Sequence, residues 1–184
     1  LAAFLGSLIS HSKVKLGWNV RLSLEIYSET TLKSRAAVKV GALLSRWPNL
    51  IIYNSNRSRL QHRSMGFLSK NDHFIPNGFL TQIWEPNEIK RKKIRNELSV
   101  DEKTKIIGYV GRGDAQKDLP NLFNAFKKIL KKHPNTVLVA VGRNLEKYTT
   151  EKLRIKFLGE RSDIQDIMVS FDILCLSSKA EGFP

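Results

Sequence analysis

Apolar residues in this chain come in short runs, set between longer stretches with helical spacing. Leu50-Ile51-Ile52-Tyr53 is a run of the kind found in a buried parallel strand. Lys105–Val110, Thr136–Val141, Ile155–Leu158 and Ile173–Leu176 repeat that type. Val14–Arg21 alternates weakly and Asp72–Pro76 is short; both are predicted strands. Helices are predicted between them. Thr31–Trp47 is stopped by Pro48, and Asn56–Met65 follows a cap at Asn54-Ser55. Glu88–Leu98 is a charged helix. Leu119–Lys132 carries Leu122, Phe123, Phe126, Ile129 and Leu130 on one face. Asp163–Phe171 is a helix with Ser162 as its expected cap, and Leu1–Ser10 reads as the end of an apolar helix.

From residue 105 the order is β-α-β-(α)-β-α-β. Such alternation predicts a parallel sheet with helices on its faces and right-handed crossovers. In sheets of this type ligands bind at the carboxyl ends of the strands. Four loops therefore hold the candidate chemistry: 111–118, 142–145, 159–162 and 177–184. Asn77-Gly78 is a strong turn signal, and the chain changes character after it. The expected division is an N-terminal domain over 1–80, a linker and entry helix over 81–104, and a second domain over 105–184.

Composition narrows the class. The 184 residues include 31 Lys and Arg against 17 Asp and Glu, a formal charge of +14. Hydrophobic residues make up 41 % and charged residues 26 %, which excludes a disordered, collagen-like or coiled-coil chain. A single cysteine, Cys175, excludes a disulfide framework; in its apolar strand it is expected to be a buried thiol. No apolar run approaches the roughly 18 residues of a spanning helix. Residues 1–80 hold 11 basic and 3 acidic groups, and residues 81–184 hold 20 and 14. Such a balance favours phosphate-rich partners: nucleotides, nucleic acid or anionic lipid. The chain begins Leu1-Ala2 and not with Met, so it is expected to be a piece of a longer protein.

Loop 111–118 reads Gly-Arg-Gly-Asp-Ala-Gln-Lys-Asp. Its glycines allow close backbone approach, and Arg112 and Lys117 put two cations at a strand end beside a helix start. That suits a diphosphate; a solvated loop with two surface cations is the alternative. Neither standard glycine-rich phosphate motif is present. Loop 177–184 carries Glu181 before Gly182. It reads either as a carboxylate and free amides for sugar hydroxyls, or as a tight turn with a solvated Glu.

Taken in order, Ile75-Pro76-Asn77-Gly78, Gly108-Tyr109-Val110-Gly111-Arg112 with Gln116-Lys117, Phe157-Leu158-Gly159, and Ser177 with Glu181-Gly182-Phe183 resemble the retaining glycosyltransferases of family 4, which have the GT-B fold. Trp18-Asn19-Val20-Arg21 and Pro48–Ser55 are similar to the end of that family's N-terminal domain. The resemblance implies two Rossmann-like parallel-sheet domains, each incomplete here, with the active site in the interdomain cleft. It implies a nucleotide-diphosphate sugar as donor, a glycan or lipid-linked acceptor, and transfer with retention, with envelope polysaccharide as the expected product. By position, Gly111, Arg112 and Lys117 match the donor diphosphate site, and Arg112, Lys117 and Glu181 the catalytic residues. Glu181, Gly182 and Phe183 match the loop beside the transferred sugar, and Arg143, Glu160 and Arg161 lie in loops that meet the base or ribose. The family's second glutamate would fall at 189, beyond the sequence. Pro184 and Asp118 stand where Gly is frequent.

No Asp-x-Asp pair is present, so no metal and no cofactor is expected, with basic side chains serving the diphosphate. His11, His62, His73 and His133 show no ligand spacing and read as surface or packing histidines. In Thr31–Trp47, Arg35, Lys39 and Arg46 run beside Ala36, Val40, Leu43 and Trp47. That apolar stripe is expected to pack on the N-terminal sheet; peripheral contact with an anionic membrane is the alternative. The expected location is cytoplasmic, with possible contact at the membrane's cytoplasmic face. A competing function is a non-catalytic basic α/β module that binds nucleic acid or an anionic surface, although no RNA-recognition signature is present.

Overall fold

The computed structural model describes residues 15–148 and 153–182. The helix expected over Leu1–Ser10, and His11, Phe183 and Pro184, lie outside them. The chain divides into two compact units, Leu1–Gly78 with Ala180–Pro184, and Phe79–Lys179.

The first unit is a three-stranded parallel sheet in the order β1-β2-β3, formed by β1 (Gly17–Val20), β2 (Leu50–Tyr53) and β3 (Asp72–Phe74). Register pairs Trp18 with Ile51 and Tyr53 with Phe74. Helix α1 (Leu32–Leu44) starts where the Thr31 side chain accepts the Ser34 amide. Helix α2 (Asn56–Ser64) starts where Ser55 accepts the Ser58 amide. The core gathers Val38, Ala42, Ile51, Tyr53 and Phe67. This corrects the expected packing face of α1. Val38 and Ala42 turn to the sheet, whereas Ala36, Val40, Leu43 and Trp47 are exposed. His62 is buried between Tyr53 and Phe67, and its Nδ1 donates to the Ser58 carbonyl at 2.8 Å. Burial lowers its pKa, with the Ser58 bond acting against the shift.

The second unit is a four-stranded parallel sheet in the order β6-β5-β4-β7. Its strands are β4 (Lys105–Val110), β5 (Thr136–Val141), β6 (Ile155–Phe157) and β7 (Ile173–Leu174). Every residue of β5 is buried, as the continuous apolar run requires. Helix α4 (Leu119–Lys132) lays Leu119, Leu122, Phe123 and Phe126 on Ile107, Tyr109, Leu138 and Ala140. On the other face, α3 (Glu88–Glu97) and α5 (Ile164–Met168) cover Ile106, Val137, Val139 and Val141 with Ile94, Leu98 and Ile167.

Two local expectations are corrected here. Helix α5 is shorter than Asp163–Phe171, and Asp163, not Ser162, is its N-cap residue; the Asp163 carboxylate is taken up by Arg161. Cys175 is half-buried, not buried, and packs at the margin of the α4 core. Arg95 is only 1 % exposed and donates to the carbonyls of Asp101, Thr104 and Ser170. Asp172 accepts the Ile106 amide at 2.7 Å and Arg91 at 2.9 Å. Burial alone would raise its pKa; the Ile106 and Arg91 bonds hold it below the usual carboxylate value.

Candidate functional site

In the second unit the loops that leave the four parallel strands are joined to one another by hydrogen bonds. The Gly111 amide donates to Val141 O, and the Gly113 amide to Arg143 O at 2.8 Å. The Gly142 amide donates to Gly159 O at 2.7 Å. Ser177 Oγ donates to Lys117 O at 2.7 Å, and the Lys179 amide to Gln116 O at 2.9 Å. Loops 111–118, 142–145, 159–162 and 177–179 therefore form one continuous rim at the carboxyl edge of the sheet.

Glycine is required at two points of this rim. Gly142 has φ +137°, and a Cβ there would fall 2.0 Å from Gly111 O. A Cβ on Gly113 would fall 1.9 Å from Asn144 O. Both loops approach each other more closely than any side chain permits. Asp114 shapes the rest of the 111–118 loop: its carboxylate accepts the Lys117 amide and closes the turn Ala115–Lys117. Asp118 then takes the left-handed conformation, φ +49°, before α4 begins. Glycine adopts that conformation most readily, and Asp is one of the few other residues that tolerate it.

The cations of the loop differ in engagement. Arg112 is mostly exposed, and its guanidinium meets Asp114 only at 3.6 Å. Its carbonyl accepts the Tyr109 hydroxyl at 3.2 Å, which fixes the backbone under it. Lys117 is half-buried between Asp114, whose side chain holds its amide, and Ser177, which holds its carbonyl. Arg143 and Glu160 are exposed and form a loose pair at 3.7 Å across neighbouring loops. Arg161 is different. It grips Asp163 through two bonds of 2.8 and 2.7 Å and Glu97 at 2.9 Å, so its guanidinium ties loop 159–162 to α3. Its hydrogen bonds to Asp163 and Glu97 raise its pKa, and the same contact lowers that of Asp163.

Gly111, Arg112, Lys117, Arg143, Glu160 and Arg161 are thus brought to one rim. Glu181 and Gly182 group with the first unit. A Cβ on Gly182 would lie 2.2 Å from Arg21 O and 3.2 Å from Asn54 Nδ2, so the segment runs tightly against the ends of β1 and β2. Those ends carry polar residues that the sequence reading did not select. Arg21 donates to Asn77 Oδ1 at 3.2 Å, and Asn54 is 5 % exposed with an unpartnered Oδ1. Each directly follows a strand of the first sheet, which is the signal that could have found them. Among the described residues, no group of three or more His, Cys, Asp or Glu could hold a metal ion.

No curated protein matches the sequence. Among solved structures, HepE of Anabaena in complex with UDP-glucose aligns with TM-score 0.80 and 21 % identity, over 97 % of this chain and 50 % of that one. Sucrose-phosphate synthase of Thermosynechococcus elongatus aligns with TM-score 0.77 and 18 % identity, over 100 % and 49 %. WaaG, a glycosyltransferase involved in lipopolysaccharide biosynthesis, aligns with TM-score 0.75 and 14 % identity, over 98 % and 57 %. The chain spans about half the length of these structures, and shares with them the α/β fold with parallel sheets of the GT-B type. The sequence profile described as glycosyl transferases group 1 matches residues 90–184, a segment that contains the whole rim of the second unit. On that match, the chain belongs to the group 1 glycosyl transferases.

Proposed function

We propose that this chain carries the donor site of a retaining glycosyltransferase that moves a sugar from a nucleotide diphosphate to a glycan or lipid-linked acceptor. The observation that carries the reading is the 111–118 loop. It presents Arg112 and Lys117 together at the carboxyl end of a central strand, on a backbone fixed by Tyr109, Asp114 and Ser177. Family membership and the UDP-glucose of the HepE structure support it.

In this reading Arg112 and Lys117 hold the diphosphate. As the bond from the anomeric carbon to the phosphate oxygen breaks, its electron pair passes to the diphosphate, and the two cations stabilise the charge that builds there. The acceptor hydroxyl forms the new bond on the same face, and its proton goes to the departing phosphate oxygen. No metal is assigned a part, because the two side chains supply the positive charge. Arg143 and Glu160 contact the base or ribose, while Arg161 serves the site by fixing loop 159–162. Glu181, Gly182 and Phe183 orient the transferred sugar. Envelope polysaccharide synthesis on the cytoplasmic side of a membrane is the setting we propose.

Calorimetric titration of the chain with UDP, GDP and ADP tests the reading. Saturable binding of one nucleotide in preference to the others supports it and identifies the base. Salt-sensitive attraction to any polyanion, with no preference among the three, supports instead a non-catalytic basic module, for which the +14 charge speaks.

A further inference from the structure

Helix α4 covers β4 and β5 but leaves β7 open. Its apolar side chains rest on Ile107, Tyr109, Leu138 and Ala140, and β7 lies at the edge of the sheet. Ile173 stands beside Ile107 in the parallel register, so the two share a face. Ile107 is 9 % exposed and Ile173 60 %. A cavity of about 560 Å³ remains beside them, with Ile107, Ile129, Ile173 and Pro134 as its apolar wall. Small-molecule sites usually measure roughly 300–1,000 Å³. Lys105 and Thr136, the first residues of β4 and β5, also line the cavity, so it opens at the amino edge of the sheet. It shares no residue with the rim at the carboxyl edge.

The charge around this cavity has one sign. Lys103, Lys105, Lys132 and His133 line it, and among the described residues no carboxylate does. The acidic residues nearest in the chain are engaged elsewhere. Asp101 accepts the Thr104 amide and hydroxyl, both at 2.7 Å. Asp172 accepts the Ile106 amide and Arg91, and Lys105 meets it only at 3.9 Å. Among the described residues, Lys103 and Lys132 have no carboxylate within ion-pair distance. The carboxyl end of α4 brings about half a negative charge, which three lysines outweigh. Its Ile129 carbonyl is already taken by the His133 amide at 2.8 Å.

We propose that this cavity binds an amphiphilic anion, a single alkyl chain with a carboxylate or phosphate head. The chain lies along the isoleucines and buries their apolar surface with its own. The lysines meet the head with charge-assisted hydrogen bonds, and their aliphatic stems extend the apolar wall. A free nucleoside diphosphate offers the cations a partner but leaves the apolar wall in water. The charge pattern also argues against a second copy as the occupant, since a two-fold contact here would set lysines on lysines.

The test is calorimetric titration of the 184-residue chain with octanoate, decanoate and dodecanoate, each below its micelle concentration. Each buried methylene is worth roughly fourfold, so every two-carbon step is expected to tighten binding by about 15-fold until the cavity is full. Decan-1-ol, which keeps the chain and lacks the charge, is expected to bind more weakly than decanoate by at least about fivefold. Dodecyl phosphate beside dodecanoate shows which head the lysines prefer, and tighter binding of either supports the site. Lys103→Gln with Lys132→Gln is expected to weaken dodecanoate by at least about fivefold. Lys128→Gln with Lys131→Gln on α4 changes the net charge equally, outside the cavity, and is expected to leave most of the binding. Ile173→Glu sets a carboxylate on the apolar wall and is expected to abolish it; far-UV circular dichroism confirms that each variant is folded. Four results overturn the proposal: no saturable binding of dodecanoate or dodecyl phosphate; decanol binding as tightly as decanoate; equal losses in the two lysine pairs; or a dimer in light scattering that Ile173→Glu dissolves while neither amphiphile binds.

Discussion

Replacing Gly142 by Ala tests whether the rim of the second unit is built on close backbone approach. Three glycines separate the two costs. Gly159 has φ +65° with nothing within 4 Å of a Cβ, so Gly159→Ala carries backbone strain alone. That is about 1–2 kcal/mol for an L-residue in the left-handed region. Gly113→Ala carries steric overlap alone, 1.9 Å from Asn144 O. Gly142→Ala carries both: φ +137° lies in a region that is almost glycine-only, and the Cβ would fall 2.0 Å from Gly111 O. Strain of about 1–3 kcal/mol adds to the shift of one loop away from the other, and the Gly111 and Gly113 amide bonds are the first to lengthen. We expect Gly142→Ala to be the most destabilising of the three. Each kcal/mol lowers the melting temperature of a unit of this size by about 4–8 °C, so differential scanning calorimetry resolves the series. Nucleotide affinity is expected to fall with Gly142→Ala and Gly113→Ala and to hold with Gly159→Ala. A Gly142→Ala protein that melts with Gly159→Ala and binds nucleotide like the parent refutes the reasoning.

Other consequences follow from named contacts. Asp72 lies between Arg59 and Arg63, at 2.6 and 2.8 Å. Burial alone would raise its pKa, yet the two guanidinium bonds hold it below the ordinary 3.8. Its contribution is therefore full above about pH 4 and lost as pH falls through the lowered value, so Asp72→Asn is expected to flatten the acid limb of stability measured by urea unfolding. For His62, whose pKa is lowered by burial, stability is expected to decline as pH falls below the ordinary 6.5, and His62→Gln is expected to abolish that decline. Arg95→Leu deprives the carbonyls of Asp101, Thr104 and Ser170 of their donor and is expected to cost about 3–5 kcal/mol in urea unfolding; a cost near zero would contradict the role given to it. If Arg112 and Lys117 supply the charge as proposed, nucleotide binding is expected to persist in EDTA; loss of binding would show a required metal.

The sequence made much of the second unit legible because its strands are continuous apolar runs and α4 has a single apolar face. Helix α1 was misread for the opposite reason. Ala36, Ala37, Val38, Val40, Ala42, Leu43 and Leu44 surround it, so periodicity does not choose which arc meets the sheet. The small Val38 and Ala42 fit against Ile51 and Phe67, and the larger Leu43 is left outside. The placement of Arg112 and Lys117 in the loop between β4 and α4 was legible from the strand–loop–helix order. The engagement of Arg161 by Glu97, 64 residues away, was not, because nothing local marks such a pair. Nor could the contact of Gly182 with Arg21 and Asn54 be read, since it joins distant parts of the chain. Asp118 is intermediate: its departure from glycine was visible, and its φ of +49° supplies the physical reason.

The central claim is that Arg112 binds the donor diphosphate. The most direct measurement is the calorimetric isotherm of the preferred nucleoside diphosphate with Arg112→Ala beside the parent chain. A charge-assisted contact to phosphate is worth about 1.5–3 kcal/mol, so affinity is predicted to fall by roughly 10- to 150-fold, with Lys131→Ala on α4 unchanged. An Arg112→Ala isotherm that overlays the parent's would contradict the assignment.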